Sequence, residues 1–433
     1  MQYENNHVYD LIGIGIGPMN LGLAALATEH PQLNCLFLDC KPGFDWHPGL
    51  MIKGARMQVP WLADLVTFAN PCSKFIYTKF LKSKRRLVRF AVTEQQNILR
   101  KEFQRYCRWT AEQLSSLQFN HYCEAVTYSE SLDVYIVHCL DNQNGTAKQF
   151  HAKRLVIGTG TVPSLPKNIN TTSGIFHSSG YLKKKPKVIE SKNVAVIGSG
   201  QSAAEIYYDL LTGEHAFESL RWFTRTDHFP QMDVSSFVAE MSTPDYIRHF
   251  YKLSSKKKKA TLEKQQHFFK GINADLLFTI YNELNEQSAD GHPIPAQLFL
   301  YHDLKGIASD KGKHLLTFNR TDTEDEATFK ADTVILATGY QDAEHSFLSP
   351  IRDHIRLNTD MSYAVNQNYS IDGNDRIFVQ NHDLHTHGFN SADLGMAPYR
   401  NAVILNTVLG KEYYELEYDS TFQQFNVLIS KNL

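Results

Sequence analysis

Two glycine-rich turns lie far apart in the chain, and each has the residue types that bind the pyrophosphate of a dinucleotide. Each turn ends a run of apolar, β-branched residues and opens an alanine-rich helical pattern. Glycines let the backbone turn tightly and approach the pyrophosphate, while the free N–H groups of the following helix meet its negative charge. Two such turns therefore predict two dinucleotide sites. The candidate residues are Gly13, Gly15, Gly17 and Pro18 in the first turn and Gly198, Gly200, Gln201 and Ser202 in the second.

The residue that ends the next strand of each unit indicates which dinucleotide binds there. Asp39 closes the run after the first turn, and an acid at that position accepts hydrogen bonds from a ribose. Arg225 ends the corresponding run after the second turn and suits a 2′-phosphate. We therefore expect FAD at the first turn and NADPH at the second. A tight turn without a ligand is the alternative for either motif alone, and the opposite charges of the two strand ends disfavour it.

The composition is that of a large globular enzyme without a strongly charged surface. Of the 433 residues, 42% are hydrophobic and 21% are charged, and the formal net charge is -2, so no field favours nucleic acid or a membrane. Glycines and a proline interrupt the apolar stretch 11–27, which argues against a signal peptide or a transmembrane segment. The six cysteines lack redox-motif and zinc-finger spacing, so we expect reduced thiols, no metal site and a cytoplasmic location.

The elements that must position these residues predict an α/β fold. The pattern indicates two Rossmann-like dinucleotide-binding domains and a small, mainly helical substrate subdomain. The apolar run 155–161 is expected to lead out of the first domain, and the similar run 332–340 to return to it, so the FAD domain is discontinuous. The predicted boundaries are 1–165 and 331–433 for the FAD domain, 185–231 and 298–330 for the NADPH domain, and 232–297 for the helical subdomain.

FAD and NADPH in one chain leave several chemistries open, and the residues narrow them. A disulfide reductase needs a redox cysteine pair close to the flavin, and the sequence has none. A flavin can instead take a hydride from NADPH, react with O2 to form a C4a-hydroperoxide and transfer one oxygen to a nucleophile. The cofactor carries that chemistry, which explains why no catalytic triad or paired carboxylates are visible.

Motifs over nearly the whole chain resemble the lysine and ornithine N-monooxygenases, the NADPH-dependent flavoenzymes that hydroxylate amines in siderophore biosynthesis. The motifs are residues 13–20, 46–49, 57–58, 61–65, 106–109, 198–203, 336–340 and 387–388, with Asp332. The resemblance implies that Trp46, His47 and Gln58 lie near the flavin and that Gln201, Ser202 and Arg225 contact NADPH. It also implies a homo-oligomer, a tetramer or dimer. Thr338, Gly339 and Tyr340 complete the expected cofactor-binding residues.

Departures from the family pattern bear on the substrate, which is a primary amine used together with O2. Family members acting on lysine or ornithine carry a lysine that pairs with the substrate carboxylate, and this chain has Ala63 there. The family's substrate-contacting asparagine and serine correspond to the stretch from Phe268 to Asn273 and to Gly395. Losing the partners of a desolvated carboxylate costs several kcal/mol, roughly 3–5 for a buried pair, which disfavours an α-carboxylate ligand.

The resemblance is therefore to the branch that acts on decarboxylated amines. Trp61 stands where phenylalanine is common, so an aromatic amine such as histamine fits as well as putrescine or cadaverine. Hydroxylation of L-lysine or L-ornithine is the alternative. The reacting amine must be neutral, although a free primary amine has a pKa of roughly 10, so the pocket should lower that value by desolvation.

Two readings of other classes remain. One is a Baeyer–Villiger or sulfur-oxidising flavin monooxygenase, whose signature is only partly present around His177 and Tyr181. The other is a nucleotide-binding module without catalysis that senses redox state or scaffolds a biosynthetic complex. A yellow protein that oxidises NADPH faster with one added amine would distinguish an enzyme from such a module.

Overall fold

Two parallel sheets form the framework of the protein, and in each sheet one strand leads through a glycine turn into a helix. The computed structural model describes residues 7–289, 291 and 293–425. The first sheet has five strands in the spatial order Ile377–Val379, Leu155–Ile157, Leu11–Ile14, Cys35–Leu38 and Leu117–Gln118. Its central strand, Leu11–Ile14, is buried at every position, as expected of a parallel sheet covered on both faces.

The second sheet is also parallel and has the spatial order Ile175–His177, Thr333–Leu336, Asn193–Ile197, Ser219–Phe223 and Ala296–Phe299. The α/β architecture with two nucleotide-binding units, predicted from the two turns, is thus what the chain adopts. Antiparallel layers flank both units. They comprise Val8–Tyr9, Ala147–Ala152, Val134–Asp141 and His121–Ser129 at the first, where Val8–Tyr9 pairs in parallel, and His302–Asp310, Lys313–Arg320 and Glu326–Ala331 at the second.

The helices cover these sheets and line the space between them. Pro18–Ala27 begins with proline at its first turn, where no N–H partner is needed, and packs against Ala397–Leu409, which ends at Gly410 in the left-handed region. No helix in the described part of the chain is long and apolar enough to span a membrane. The remaining described α-helices are Tyr77–Ser83, Leu87–Ala91, Arg100–Ala111, Tyr181–Val188, Gln201–Leu211, Ser236–Ala239, Pro244–Lys252, Ser255–Lys264, Ala274–Ala289 and Leu384–His387.

The sequence predicted that the chain returns to the first unit near residue 331, and for the first strand after that point this prediction is wrong. Thr333–Leu336 lies inside the second sheet, where it pairs with Asn193–Ile197 on one side and Ile175–His177 on the other. The first sheet is rejoined later, by Ile377–Val379. The apolar run alone could not distinguish the two sheets, because membership depends on pairing with strands far away in sequence.

A short antiparallel ladder marks the place where the chain passes between the two units. Thr161–Pro163, on the way out, pairs with Tyr340–Asp342, on the way back. Both crossings therefore lie side by side.

The predicted helical segment 232–297 divides between the two units. Ala274–Ala289 packs on Gln201–Leu211, and its residues Leu276, Ile280 and Leu284 join the apolar core of the second unit. Pro244–Lys252 contacts Leu384–His387 instead, in a separate aromatic cluster with Phe389. The end of the segment, from Ala296, is already a strand of the second sheet.

Candidate functional site

A cleft of about 2480 Å³ lies between the two units and collects the candidate residues from both. Of the site residues predicted from sequence, all line this cleft except Gly13. The lining candidates are Gly15, Gly17, Pro18, Asp39, Trp46, His47, Gln58, Trp61, Ala63, Gly198, Gly200, Gln201, Ser202, Arg225, Phe268, Asn273, Thr338, Gly339, Tyr340 and Gly395. The described residues contain no group of three or more His, Cys, Asp or Glu side chains placed to hold a metal ion.

The glycines of the first turn have different tasks. Gly15 has a φ of +91°, and a Cβ there would lie 2.4 Å from the carbonyl oxygen of Gly158, so no other residue fits. A Cβ on Gly17 would meet nothing within 4 Å, which leaves open space in front of the helix N-terminus. Gly13 lies within the strand, where a Cβ would stand 2.2 Å from the ring of Phe37. Its role in the structure is therefore to make room for that ring.

Asp39 is held in place before any ligand binds. Its Oδ2 accepts the backbone N–H of Ile16 at 2.7 Å, and its Oδ1 accepts the N–H of Lys41 at 2.9 Å. Lys41 Nζ lies 3.4 Å from the same carboxylate. Each oxygen keeps a lone pair that can accept from a ribose hydroxyl.

The second turn repeats the design with different side chains. Gly198 has a φ of +144°, and a Cβ there would lie 2.2 Å from the carbonyl oxygen of Ala337. Gly200 caps the helix Gln201–Leu211. Arg225, two residues beyond the strand Ser219–Phe223, is exposed at the cleft. An open helix N-terminus with a nearby exposed guanidinium fits a pyrophosphate and a 2′-phosphate.

His47 lines the cleft and has a strained backbone. Its φ of +48° and ψ of 49° are left-handed, and its ring lies 4.7 Å from that of Trp46 and 5.9 Å from that of Tyr340, centroid to centroid. Desolvation within the cleft, followed by the charges of Arg100 and Lys41, lowers the pKa of His47 to about 4. The imidazole is therefore neutral at physiological pH, where it can both donate and accept a hydrogen bond.

Gln58 and Asn273, assigned from sequence to different parts of the site, contact each other. Gln58 Nε2 donates to Asn273 Oδ1 at 3.1 Å and approaches the Gly271 carbonyl at 3.4 Å. The backbone N–H of Asn273 donates to Gln201 Oε1 at 2.9 Å. One hydrogen-bonded chain thus joins the first unit, the helical segment and the second turn.

The candidate substrate residues line the cleft, and two of them are close neighbours. A Cβ on Gly395 would lie 3.4 Å from the Cβ of Ala63, so the two small residues face each other. Trp61 packs its ring against Tyr77 and Phe90, at 6.3 and 6.0 Å. Phe268 lines the cleft while it packs on Phe389 at 5.8 Å.

Sequence reasoning missed an ion pair that bridges the units. Arg100, on the helix Arg100–Ala111, donates from both terminal nitrogens to the two carboxylate oxygens of Glu205 at 2.9 and 2.8 Å. Glu205 also accepts from Gln201 Nε2 at 3.0 Å, and Arg100 donates to the Leu50 carbonyl. The bond arises only when two helices far apart in sequence meet, so no local pattern announces it.

It also missed an acid, Asp393, which lines the cleft two residues before Gly395. Burial raises the pKa of Asp393 above its ordinary value, against opposing hydrogen bonds from Gly395 and Ser242 and the charge of Arg400. Its position two residues before a candidate substrate residue was the available signal.

Comparison with known proteins gives consistent likenesses. The family model of L-lysine 6-monooxygenase/L-ornithine 5-monooxygenase matches residues 7–342. Putrescine N-hydroxylase of Shewanella oneidensis is 40% identical over 96% of this chain and 84% of its own length, and putrescine N-hydroxylase of Acinetobacter baumannii is 38% identical over 98% and 94%. The crystal structure of the FAD-bound cadaverine monooxygenase of the desferrioxamine pathway from Erwinia amylovora has a TM-score of 0.94 at 38% identity, covering 97% of this chain and 99% of that one.

Proposed function

Because the chain belongs to the L-lysine 6-monooxygenase/L-ornithine 5-monooxygenase family, we propose that it hydroxylates one nitrogen of an aliphatic diamine, such as putrescine or cadaverine, for siderophore biosynthesis. It is a flavin-dependent N-hydroxylating monooxygenase that uses FAD, NADPH and O2. The observation that supports this substrate class is the pair of small residues, Ala63 and Gly395, which face each other in the cleft.

The residues present fit both dinucleotides. Gly17 leaves open space at the helix N-terminus for the FAD pyrophosphate, Gly15 lets the chain turn closely against Gly158, and Asp39 offers two oriented acceptors to the FAD ribose. Gly200 and Arg225 serve the NADPH pyrophosphate and 2′-phosphate in the same way. When bound, reduced FAD supplies the activation of O2 and the oxygen atom that is transferred.

The protein's own part is to hold the amine and to exclude water. A neutral nitrogen lone pair must face the cofactor, so the surroundings of that nitrogen should disfavour the ammonium form. Gln58 and Asn273 present amide groups there, and His47 is neutral at physiological pH. None of these three groups carries a negative charge that would hold the reacting amine protonated.

Ala63 and Gly395 argue against an α-amino acid. Neither side chain can donate a hydrogen bond, so an α-carboxylate bound against this pair would be desolvated without a side-chain partner from either residue. Burying an unpaired ion costs several kcal/mol, roughly 3–5 when one partner of a pair is missing. Because each 1.4 kcal/mol is a tenfold change in affinity, this cost corresponds to a discrimination against the α-amino acid of more than about a hundredfold.

The test is a product assay, because NADPH can be consumed without hydroxylation. Purified, FAD-loaded protein would be incubated with NADPH and, separately, putrescine, cadaverine, histamine, L-ornithine and L-lysine, and the hydroxylamine formed would be measured. We expect product from the diamines. Product mainly from L-ornithine or L-lysine would refute the proposed substrate class, and product mainly from histamine would replace the diamine with an aromatic amine.

A further inference from the structure

A diamine carries a second ammonium group, and the cleft has an acid at the position that could bind it. Asp393 lines the cleft on the wall formed by Ala63 and Gly395. A Cβ on Gly395 would lie 3.2 Å from Asp393 Oδ1 and 3.4 Å from the Cβ of Ala63. The carboxylate and the two small residues therefore border the same small volume.

The carboxylate is oriented by two hydrogen bonds and has no ion-pair partner in contact among the described residues. Asp393 Oδ1 accepts the backbone N–H of Gly395 at 2.8 Å, which fixes the side chain in a short turn, and the Ser242 side chain also hydrogen-bonds to the carboxylate. Arg400 acts on it from a greater distance, since its guanidinium donates to the Ser391 carbonyl at 2.8 Å and lies 3.4 Å from Asp383. The raised pKa of Asp393 is what a desolvated acid shows when nearby groups do not fully compensate it.

We propose that the Asp393 carboxylate binds the distal ammonium of the diamine substrate. This inference rests on the proposed function and deepens it. The end of the cleft where a lysine at position 63 would bind a carboxylate carries the opposite charge here, so it attracts a cation and repels an α-carboxylate. An ammonium with a pKa of roughly 10 is charged at physiological pH and can donate to both Asp393 oxygens.

The arrangement separates the two ends of one substrate. The nitrogen near Gln58 and Asn273 meets neutral amide groups, whereas the nitrogen at Asp393 meets an acid. A symmetrical diamine is thereby bound with one end neutral and reactive and the other end charged. Only the first is hydroxylated, and the hydrophobic spacing between the ends is supplied by the substrate's own methylene chain.

The experiment compares diamines with monoamines of the same chain length. Hydroxylamine formation would be measured with putrescine, cadaverine, 1-aminobutane and 1-aminopentane in the wild type and in D393N. Asparagine keeps the Oδ1 that accepts from Gly395, so the turn is retained while the charge is removed. E344Q, which removes an exposed acid lining the same cleft, is the matched control.

We expect the wild type to prefer each diamine over its monoamine by about 10- to 100-fold in kcat/KM, the size of a charge-assisted hydrogen bond. D393N should reduce this ratio to within about threefold of one, mainly through the KM of the diamine, and E344Q should leave it unchanged. If D393N does not fold, A63K tests the same point, because its ammonium would occupy the volume beside Asp393 and lower kcat/KM for diamines more than for monoamines.

The outcomes separate this inference from the proposed function. A wild type that forms hydroxylamine from diamines while D393N keeps the full diamine preference overturns the role of Asp393 alone. Equal losses on diamines and monoamines also overturn it, because they indicate a general structural defect. A wild type active only on L-ornithine or L-lysine overturns the proposed function and this inference together.

Discussion

Replacing Glu205 with glutamine should lower the stability of the protein far more than removing a surface charge. Arg100 and Glu205 form a two-bonded pair whose side chains are only 12% and 4% exposed. E205Q keeps the shape but leaves the Arg100 guanidinium without its counter-ion. Breaking a buried pair from one side costs about 3–5 kcal/mol. For a unit of this size, 3 kcal/mol corresponds to a fall of roughly 6–12 °C in the unfolding midpoint.

The matched control is E218Q, which breaks the ion pair between Lys192 and Glu218, whose side chains are 68% and 58% exposed. Solvent screens such an exposed pair, so its loss should lower the midpoint far less than E205Q does. Thermal unfolding of the FAD-loaded proteins, followed by circular dichroism, compares the two. E205Q should also raise the KM for NADPH, because Glu205 accepts a hydrogen bond from Gln201 at the second turn.

Equal midpoints for E205Q and E218Q would refute this reasoning, since they would show that Arg100 finds another partner or water at no cost. The double variant R100M/E205M gives a second check. Removing both charges leaves no unpaired ion, so its midpoint should lie above that of E205Q. A double variant as unstable as the single one would indicate that packing, not charge, sets the loss.

Three further predictions concern single residues. R225A should raise the KM for NADPH about tenfold or more and leave the KM for NADH unchanged. The control R221A replaces an arginine that does not line the cleft, so it should change neither KM. Equal effects of R225A on both nucleotides would contradict a contact with the 2′-phosphate. G13A should lower the unfolding midpoint, because its Cβ would lie 2.2 Å from the Phe37 ring, and G13A/F37L should recover much of the loss; a midpoint unchanged in G13A would show that the strand shifts freely. Burial lowers the pKa of His387 to about 4, so between about pH 6.5 and 4 the unfolded chain binds a proton that the folded protein excludes. The contribution of neutral His387 to stability is therefore complete above this pH range and is lost as the pH falls through it. H387Q should flatten the decline in urea midpoint between pH 7 and 5, and an unaltered decline would rule out His387 as its source.

Local signals predicted the α/β class and the position of both turns. The glycine spacing and the apolar runs act over a few residues, and Gly15 and Gly198 stand where their backbone angles require glycine. The family resemblance directed attention to Ala63 and Gly395, which the structure places together. The roles of the individual site residues remain predictions, as does the homo-oligomer, a tetramer or dimer.

Features that depend on long-range contacts were not predictable from sequence. The sequence of the strand Thr333–Leu336 is compatible with either sheet, and only its pairing with Asn193–Ile197 assigns it to the second. The glycine motif includes Gly13, but only the neighbouring strand shows that Phe37 occupies the space beside it. The ion pair of Arg100 with Glu205 likewise needs the packed helices, because neither residue belongs to a recognisable motif.

The ladder between Thr161–Pro163 and Tyr340–Asp342 also bears on how the chain reaches its native state. Leu155–Ile157 must pair with Ile377–Val379 although the whole second unit intervenes between them. Once that unit has folded, its two ends are held as paired neighbours, so closing the first sheet costs the entropy of two shorter connections instead of that of one long free loop. During synthesis the second unit is complete before Ile377–Val379 emerges, and this order of events favours folding of the insert before its host.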